Sequence, residues 1–169
     1  RFRSWELLLR EPVPNLVPEI SRFDDAASID PDVLPKQAAD DSMCVFSDPN
    51  RKHPAVHLLS NGNYHVMVTD AGGGYSRYRN IAVTRWREDA TRDNWGSYCY
   101  LRDRESGEVW SNTHQPTCIP DGFFEATFAE GKAEYHRRDG DFDCHTEVVV
   151  SPEDDVEVRR LRITNRSDR

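Results

Sequence analysis

The feature that most restricts the fold is Asn61-Gly62, set between Ala55-Val56-His57-Leu58-Leu59-Ser60 and Asn63-Tyr64-His65-Val66-Met67-Val68-Thr69. Both flanking runs are rich in β-forming residues. Asn and Gly both tolerate positive φ, so the segment predicts a β-hairpin closed by a two-residue turn. Counting across that turn pairs Ser60 with Asn63, Leu59 with Tyr64, Leu58 with His65 and His57 with Val66. His57 and His65 then fall on opposite faces, which argues against a shared metal. Further strand-like runs follow over 81–86, 97–103, 108–111, 123–128, 132–138, 142–151 and 155–164. They are broken by turn residues such as Glu105-Ser106-Gly107, Glu130-Gly131, Asp139-Gly140 and Ser151-Pro152-Glu153-Asp154. Short strands at this spacing predict an all-β antiparallel β-sandwich over residues 44–169. In the last run, apolar alternation shifts by one at Arg159-Arg160, and a β-bulge there would restore it.

The preceding residues, 1–43, read differently. Pro12, Pro14, Pro18, Pro31 and Pro35 remove backbone donors and restrict their neighbours, which excludes a long helix or central strand over 11–36. Over residues 24–48, Asp24, Asp25, Asp30, Asp32, Asp40, Asp41 and Asp48 stand against Lys36 alone. This is a Pro/Asp-rich connector, with Ser4–Arg10 as a turn or two of helix or an edge strand. Order is expected only where Leu34, Met43, Val45 or Phe46 can pack on the sheet.

Of the 169 residues, 30 are Asp or Glu against 22 Lys or Arg, a formal net charge of −8. That disfavours a general nucleic-acid coat. Leu7-Leu8-Leu9 and Val148-Val149-Val150 are far shorter than the roughly 20 apolar residues of a membrane span. The chain opens on Arg1 and reads as a piece of something longer. Cys44, Cys99, Cys118 and Cys144 lack metal-ligand spacing, and free, mostly buried thiols in a reducing cytoplasm are expected.

Chemistry concentrates between residues 70 and 104. Gly72-Gly73-Gly74 allows close approach to the main chain, but neither phosphate-loop nor dinucleotide-loop spacing is present. Residues 75–104 hold seven Arg (77, 79, 85, 87, 92, 102, 104) against four acids (88, 89, 93, 103). Tyr75, Tyr78, Trp86, Trp95, Tyr98 and Tyr100 are interleaved with them. Aromatic faces stack on sugar rings while guanidinium forks bond hydroxyls, and Arg also binds phosphate bidentately. The same residues would also serve as sandwich core and surface ion pairs, the reading that residue chemistry alone favours over binding while leaving both open. Adjacent acids such as Glu88-Asp89 and Glu153-Asp154-Asp155 are read as solvated turns, so no catalytic acid is assigned.

Taken in order, Asn61-Gly62-Asn63-Tyr64, Gly72-Gly73-Gly74-Tyr75-Ser76-Arg77-Tyr78, Thr84-Arg85-Trp86-Arg87-Glu88-Asp89 with Thr91-Arg92-Asp93, Trp95-Gly96-Ser97-Tyr98, Tyr100-Leu101-Arg102-Asp103 and Gly107-Glu108-Val109-Trp110-Ser111 carry a family likeness. Over residues 40–169 the chain resembles the amino-terminal β-sandwich of inverting glycoside phosphorylases, glycoside hydrolase family 94, formerly glycosyltransferase family 36. That family includes cellobiose and chitobiose phosphorylases. The acidic connector is most similar to the cyclic β-1,2-glucan synthase branch.

The resemblance implies part of a galactose-mutarotase-like super-sandwich, with the segment truncated inside it at its carboxy terminus. It also implies that the glycosidic acid and most of the substrate pocket reside on a following (α/α)6 barrel. The implied role is a non-catalytic module that supports the barrel, takes part in a homodimer and lends loops to a β-glucan or gluco-oligosaccharide. Gly73, Gly74, Tyr75, Arg77, Tyr78, Arg79, Trp86 and Trp95 are the expected substrate-binding residues. No metal or cofactor is expected, and inorganic phosphate enters only as a substrate of the parent enzyme. Neither nucleic acid nor direct membrane contact is expected. Location would be cytoplasmic, with the parent anchored at the bacterial inner membrane if it is a glucan synthase. Two other functions are carried forward: an autonomous carbohydrate-binding domain using Trp86, Trp95 or Trp110, and a sugar epimerase using His and Glu.

Overall fold

Strict alternation of side chains decides the larger sheet. The computed structural model describes residues 43–87, 93–119 and 122–167. Within them β8 (Phe123–Ala129), β9 (Lys132–Asp139) and β10 (Phe142–Val150) bury alternate residues, with Asp143 of β10 buried in addition. β1 (Cys44–Phe46) and β11 (Glu157–Asn165) flank them in an antiparallel sheet of order β1-β8-β9-β10-β11. A second sheet has the order β2-β3-β4-β5, formed by β2 (Val56–Ser60), β3 (Tyr64–Thr69), β4 (Gly74–Tyr78) and β5 (Ile81–Ala82). A short hairpin joins β6 (Tyr100–Arg102) to β7 (Val109–Ser111). Every described strand pairing is antiparallel, and no helix occurs among the described residues. The all-β reading holds. The expected connector over 1–43 lies outside the described residues except for Met43, which is exposed with Val45, while Phe46 packs on Phe128 at 5.3 Å.

Leu59, Val66 and Val68 of the smaller sheet pack with Phe124, Ala126, Phe128, Ala133, Tyr135 and Val148 of the larger one. Burying side chains of this kind stabilises by about 1.5–3 kcal/mol each before entropy is counted. Three polar contacts fasten the layers. The Tyr135 hydroxyl donates to the Thr69 carbonyl at 2.7 Å, the His57 ring stacks on Phe128 with Nε2 3.0 Å from the Ala129 carbonyl, and the Asn61 amide donates to the Ser151 and Asp154 carbonyls. Farther along the inner face the core becomes polar. Arg137 is fully buried, forks onto Asp139 at 2.6 Å, and donates to the Thr113 carbonyl at 2.9 Å. Asn112 donates to Thr146, so the 112–119 loop is hydrogen-bonded under the sheet.

Four sequence expectations are corrected. Ser60 pairs with His65 rather than Asn63, because the Asn61 carboxamide oxygen accepts from both Asn63 and Tyr64 N–H groups and widens the loop. Only Gly62 there has positive φ (96°). The shift is an even number of residues, so His57 and His65 still occupy opposite faces. The glycine-rich segment contributes a full strand, β4, whereas 81–86 is reduced to Ile81–Ala82. No bulge interrupts β11, whose pairing with β10 is continuous from Phe142–Asn165 to Val150–Glu157. Arg159 keeps to the inner face there, ion-paired to Glu157 and donating to the Ser97 carbonyl at 2.7 Å. Glu157 in turn accepts from the Ser76 hydroxyl. Polar links between sheets thus replace the apolar alternation. Finally, the four cysteines are free, but Cys44, Cys99 and Cys118 are exposed and only Cys144 is buried, its thiol pushed up to about 11 by burial.

Tyr135→Phe should cost about 1–2 kcal/mol in chemical denaturation, since it strips a buried carbonyl of a donor. An unchanged midpoint would show that the hydroxyl link is dispensable. In a thiol-reagent titration of the native protein, three cysteines should react promptly and the fourth only after unfolding.

Candidate functional site

Thr69 ends β3, and the chain beyond it must turn sharply to begin β4 at Gly74. Thr69 N–H donates to the Gly73 carbonyl and the Gly72 N–H to the Thr69 carbonyl, both at 2.9 Å. The Gly73 N–H donates to the Thr69 hydroxyl at 2.9 Å, and that hydroxyl donates to Asp93. A Cβ at Gly72 would lie 2.3 Å from Thr113 Oγ1, one at Gly73 2.2 Å from Asp93 Oδ1, and one at Gly74 2.0 Å from the Met67 carbonyl oxygen. Three glycines are needed because three neighbours press on the turn. Gly73 and Gly74 are buried, so they act by admitting Asp93 and Met67.

The other expected site residues separate by strand parity. Tyr75 and Arg77 face outward from β4 beside Met67 and His65 of β3. Trp86, 38% exposed, reaches back to Tyr75 with ring centroids 5.5 Å apart. Val56 and Leu58 of β2, both well exposed, share this outward face. Tyr78 belongs to the opposite face with Tyr64, and the Arg79 guanidinium lies 5.2 Å from its ring centroid. Arg79 also has positive φ (52°), its N–H donating to the Asn63 carbonyl. Trp95 is half-buried, and its carbonyl accepts the Gly74 N–H at 2.7 Å. Tyr75, Arg77 and Trp86 therefore gather on one surface, whereas Tyr78 and Arg79 form a separate pair.

Two carboxylates beneath the turn escaped the sequence reading. Asp70 is 1% exposed and receives Arg51 at 3.4 Å. Burial pushes its carboxyl above the usual range against the pull of the Ala55 amide and Arg51. Asp93 is raised too, chiefly by burial, with Asp70 adding repulsion and the Thr69 hydroxyl opposing. The nearby Tyr98 phenol is raised by burial and by Asp93. Adjacent polar residues gave no cue, because the burial that perturbs them comes from strands distant in sequence. On the far sheet, Asp143 is held below its ordinary value: burial would raise it, but hydrogen bonds with His136 and Arg166 prevail.

Of the histidines, His136 and His145 face each other across β9 and β10 with ring centroids 6.1 Å apart, and the others are separate. His57 is held at the sheet interface and His65 Nδ1 lies 2.8 Å from the Ser60 hydroxyl. Among the described residues no group of three His, Cys, Asp or Glu is close enough to hold a metal.

Raised carboxyl pKa values make ionisation a cost to the fold. For Asp70 and Asp93 the native state binds protons more tightly than the unfolded one, so stability falls as pH rises from about 4 through their raised values, then levels off. Asp93→Asn should shrink that fall and raise the melting temperature at pH 7. An unaltered pH–stability curve would show that Asp93 carries no such cost.

Comparison with known proteins bears directly on this architecture. The family model described as glycosyl hydrolase 94, supersandwich domain, matches residues 41–169. The chain is 37% identical over 167 residues to cyclic beta-(1,2)-glucan synthase NdvB of Rhizobium meliloti (strain 1021), covering 97% of this chain and 6% of that protein. It is 29% identical over 135 residues to N,N'-diacetylchitobiose phosphorylase of Vibrio furnissii, covering 76% of this chain and 17% of that one. The Vibrio proteolyticus phosphorylase is 35% identical over 80 residues, covering 46% and 10%. The chain thus spans a small part of the length of these relatives. With the matched region taking in every described strand, the chain belongs to the glycosyl hydrolase 94 supersandwich domain family.

Proposed function

We propose that this chain is the non-catalytic β-sandwich module of a carbohydrate phosphorylase or cyclic β-1,2-glucan synthase. It supports an (α/α)6 catalytic barrel and presents carbohydrate contacts at the entrance to it. The observation that carries this reading is the outward face of the four-stranded sheet, where Tyr75, Trp86 and Arg77 on one side of β3 share a face with exposed Val56 and Leu58 on the other. A sheet face with Leu58 69% exposed suits packing against a second protein surface. The Tyr75–Trp86 pair suits the apolar face of a sugar ring, and Arg77 suits its hydroxyls or a phosphate. The two acids beneath the turn support a structural role, since buried Asp70 is engaged by Arg51 and half-buried Asp93 by Thr69. Inorganic phosphate is then a substrate of the barrel. A homodimer would form in the parent enzyme, and an inner-membrane anchor would belong to that parent if it is a glucan synthase. Among the described residues no helix is long and apolar enough to cross a membrane.

The test is a titration of the purified chain with β-1,2- and β-1,4-linked gluco-oligosaccharides, followed by tryptophan fluorescence, with glucose 1-phosphate assayed in parallel after adding phosphate. Saturable binding weakened about 10-fold or more by Trp86→Ala, without turnover, is expected. Release of glucose 1-phosphate by the chain would overturn the non-catalytic reading, and a response indifferent to Trp86→Ala would remove the outward face as the sugar contact.

A further inference from the structure

A second feature of carbohydrate chemistry lies away from the glycine turn. The β6–β7 hairpin, the β9–β10 turn and the end of β11 enclose an open cleft of about 730 Å³. That volume falls within the roughly 300–1,000 Å³ of small-molecule sites. Its apolar wall is formed by Trp110 and Phe142, whose ring centroids are 5.6 Å apart. Trp110 is 5% exposed and its indole N–H has no hydrogen-bond partner among the described residues.

The polar lining divides into structural and available groups. Asp103 holds its own turn, accepting from the Glu105 and Ser106 N–H groups, and Asp139 is clasped by buried Arg137. By contrast Arg102, Arg104, Glu108 and Asp141 line the cleft with no ion-pair partner among the described residues. Two guanidinium groups and two carboxylates therefore border one cavity without neutralising each other. Guanidinium groups donate to hydroxyl oxygens and carboxylates accept from hydroxyl protons, so a ligand bearing many hydroxyls satisfies both kinds at once. With Asp139 offset by Arg137, the lining still sets Asp103, Glu105, Glu108 and Asp141 against Arg102 and Arg104, a formal balance that disfavours a phosphate ester or other anion.

We infer that this cleft is a second carbohydrate-binding site, selective for a neutral oligosaccharide and separate from the Tyr75–Trp86 surface. Phe142 offers the apolar contact, Arg102 and Arg104 donate, and Glu108 and Asp141 accept. The inference rests on the carbohydrate reading of the chain but assigns different residues.

Amide shifts of the ¹⁵N-labelled chain, titrated separately with β-1,2-linked glucotetraose and with inorganic phosphate, test it. Saturable shifts over Arg102–Val109 and Gly140–Phe142 with the tetrasaccharide, and none there with phosphate, are expected. Asp141→Asn and Arg104→Ala alter exposed side chains and should each weaken that binding about 10-fold while preserving spectral dispersion. Sugar-induced shifts confined to 75–86 would overturn the cleft and leave the outward face standing. Shifts at the cleft caused by phosphate would overturn the neutral-ligand assignment. Absence of shifts anywhere at millimolar sugar would overturn both sites.

Discussion

The arrangement around Thr69 holds the two layers and the glycine turn in one geometry. Its carbonyl accepts the Gly72 N–H and the Tyr135 hydroxyl, and its own hydroxyl accepts the Gly73 N–H while donating to Asp93. One residue thereby joins β3, the turn into β4, the 93–98 segment and the centre of the opposite sheet. In a buried setting each of these groups would cost about 1–3 kcal/mol if left unpaired, so they form together or not at all. The outward face inherits its geometry from this joint, because β4 carries Tyr75 and Arg77 from the point where the turn releases it.

Apolar burial accounts for one end of the sandwich and polar satisfaction for the other. Phe128, Ala133 and Val148 form a dry row across β8, β9 and β10, whereas Phe124, Arg137 and Cys144 form the row that meets the 112–119 loop. A buried arginine is tolerated because Asp139 and two main-chain carbonyls surround it. It is a costly arrangement to dismantle, since removing one partner strands a charge. The consequence for function is positional: the same β9–β10 turn that supplies Asp139 to Arg137 also supplies Asp141 and Phe142 to the cleft. Sugar contacts at the cleft and on the outward face would thus be set by two different sheets with a common core.

Much of this was legible in residue order. Alternation in 123–150, the glycine turns at 131 and 140, and the hairpin around Asn61-Gly62 mark strands whose period is local and whose partners are adjacent in sequence. The misreadings share a cause. Arg159 looked like a register error because a charged residue faces inward there, its charge met by Glu157 on the same face and its guanidinium bonded to the Ser97 carbonyl from a segment distant in sequence. The run Gly72-Gly73-Gly74 reads as a loop, yet Gly74 opens β4, and the atoms that exclude a side chain along it belong to Thr113, Asp93 and Met67. Tyr75, Tyr78 and Trp86 stand in one run of sequence, and only strand parity and the Tyr75–Trp86 contact place Tyr78 on a different face.

By itself the sequence determined the all-β class, most strand positions and the family likeness. These follow from side-chain period, turn chemistry and ordered motifs, all of which operate over a few residues. Tertiary structure alone decided which aromatic and arginine side chains share a surface, which cysteines are exposed, and which carboxyls are forced toward their neutral form. Those properties depend on burial and proximity between strands far apart in the chain, and a linear pattern contains no distances of that kind.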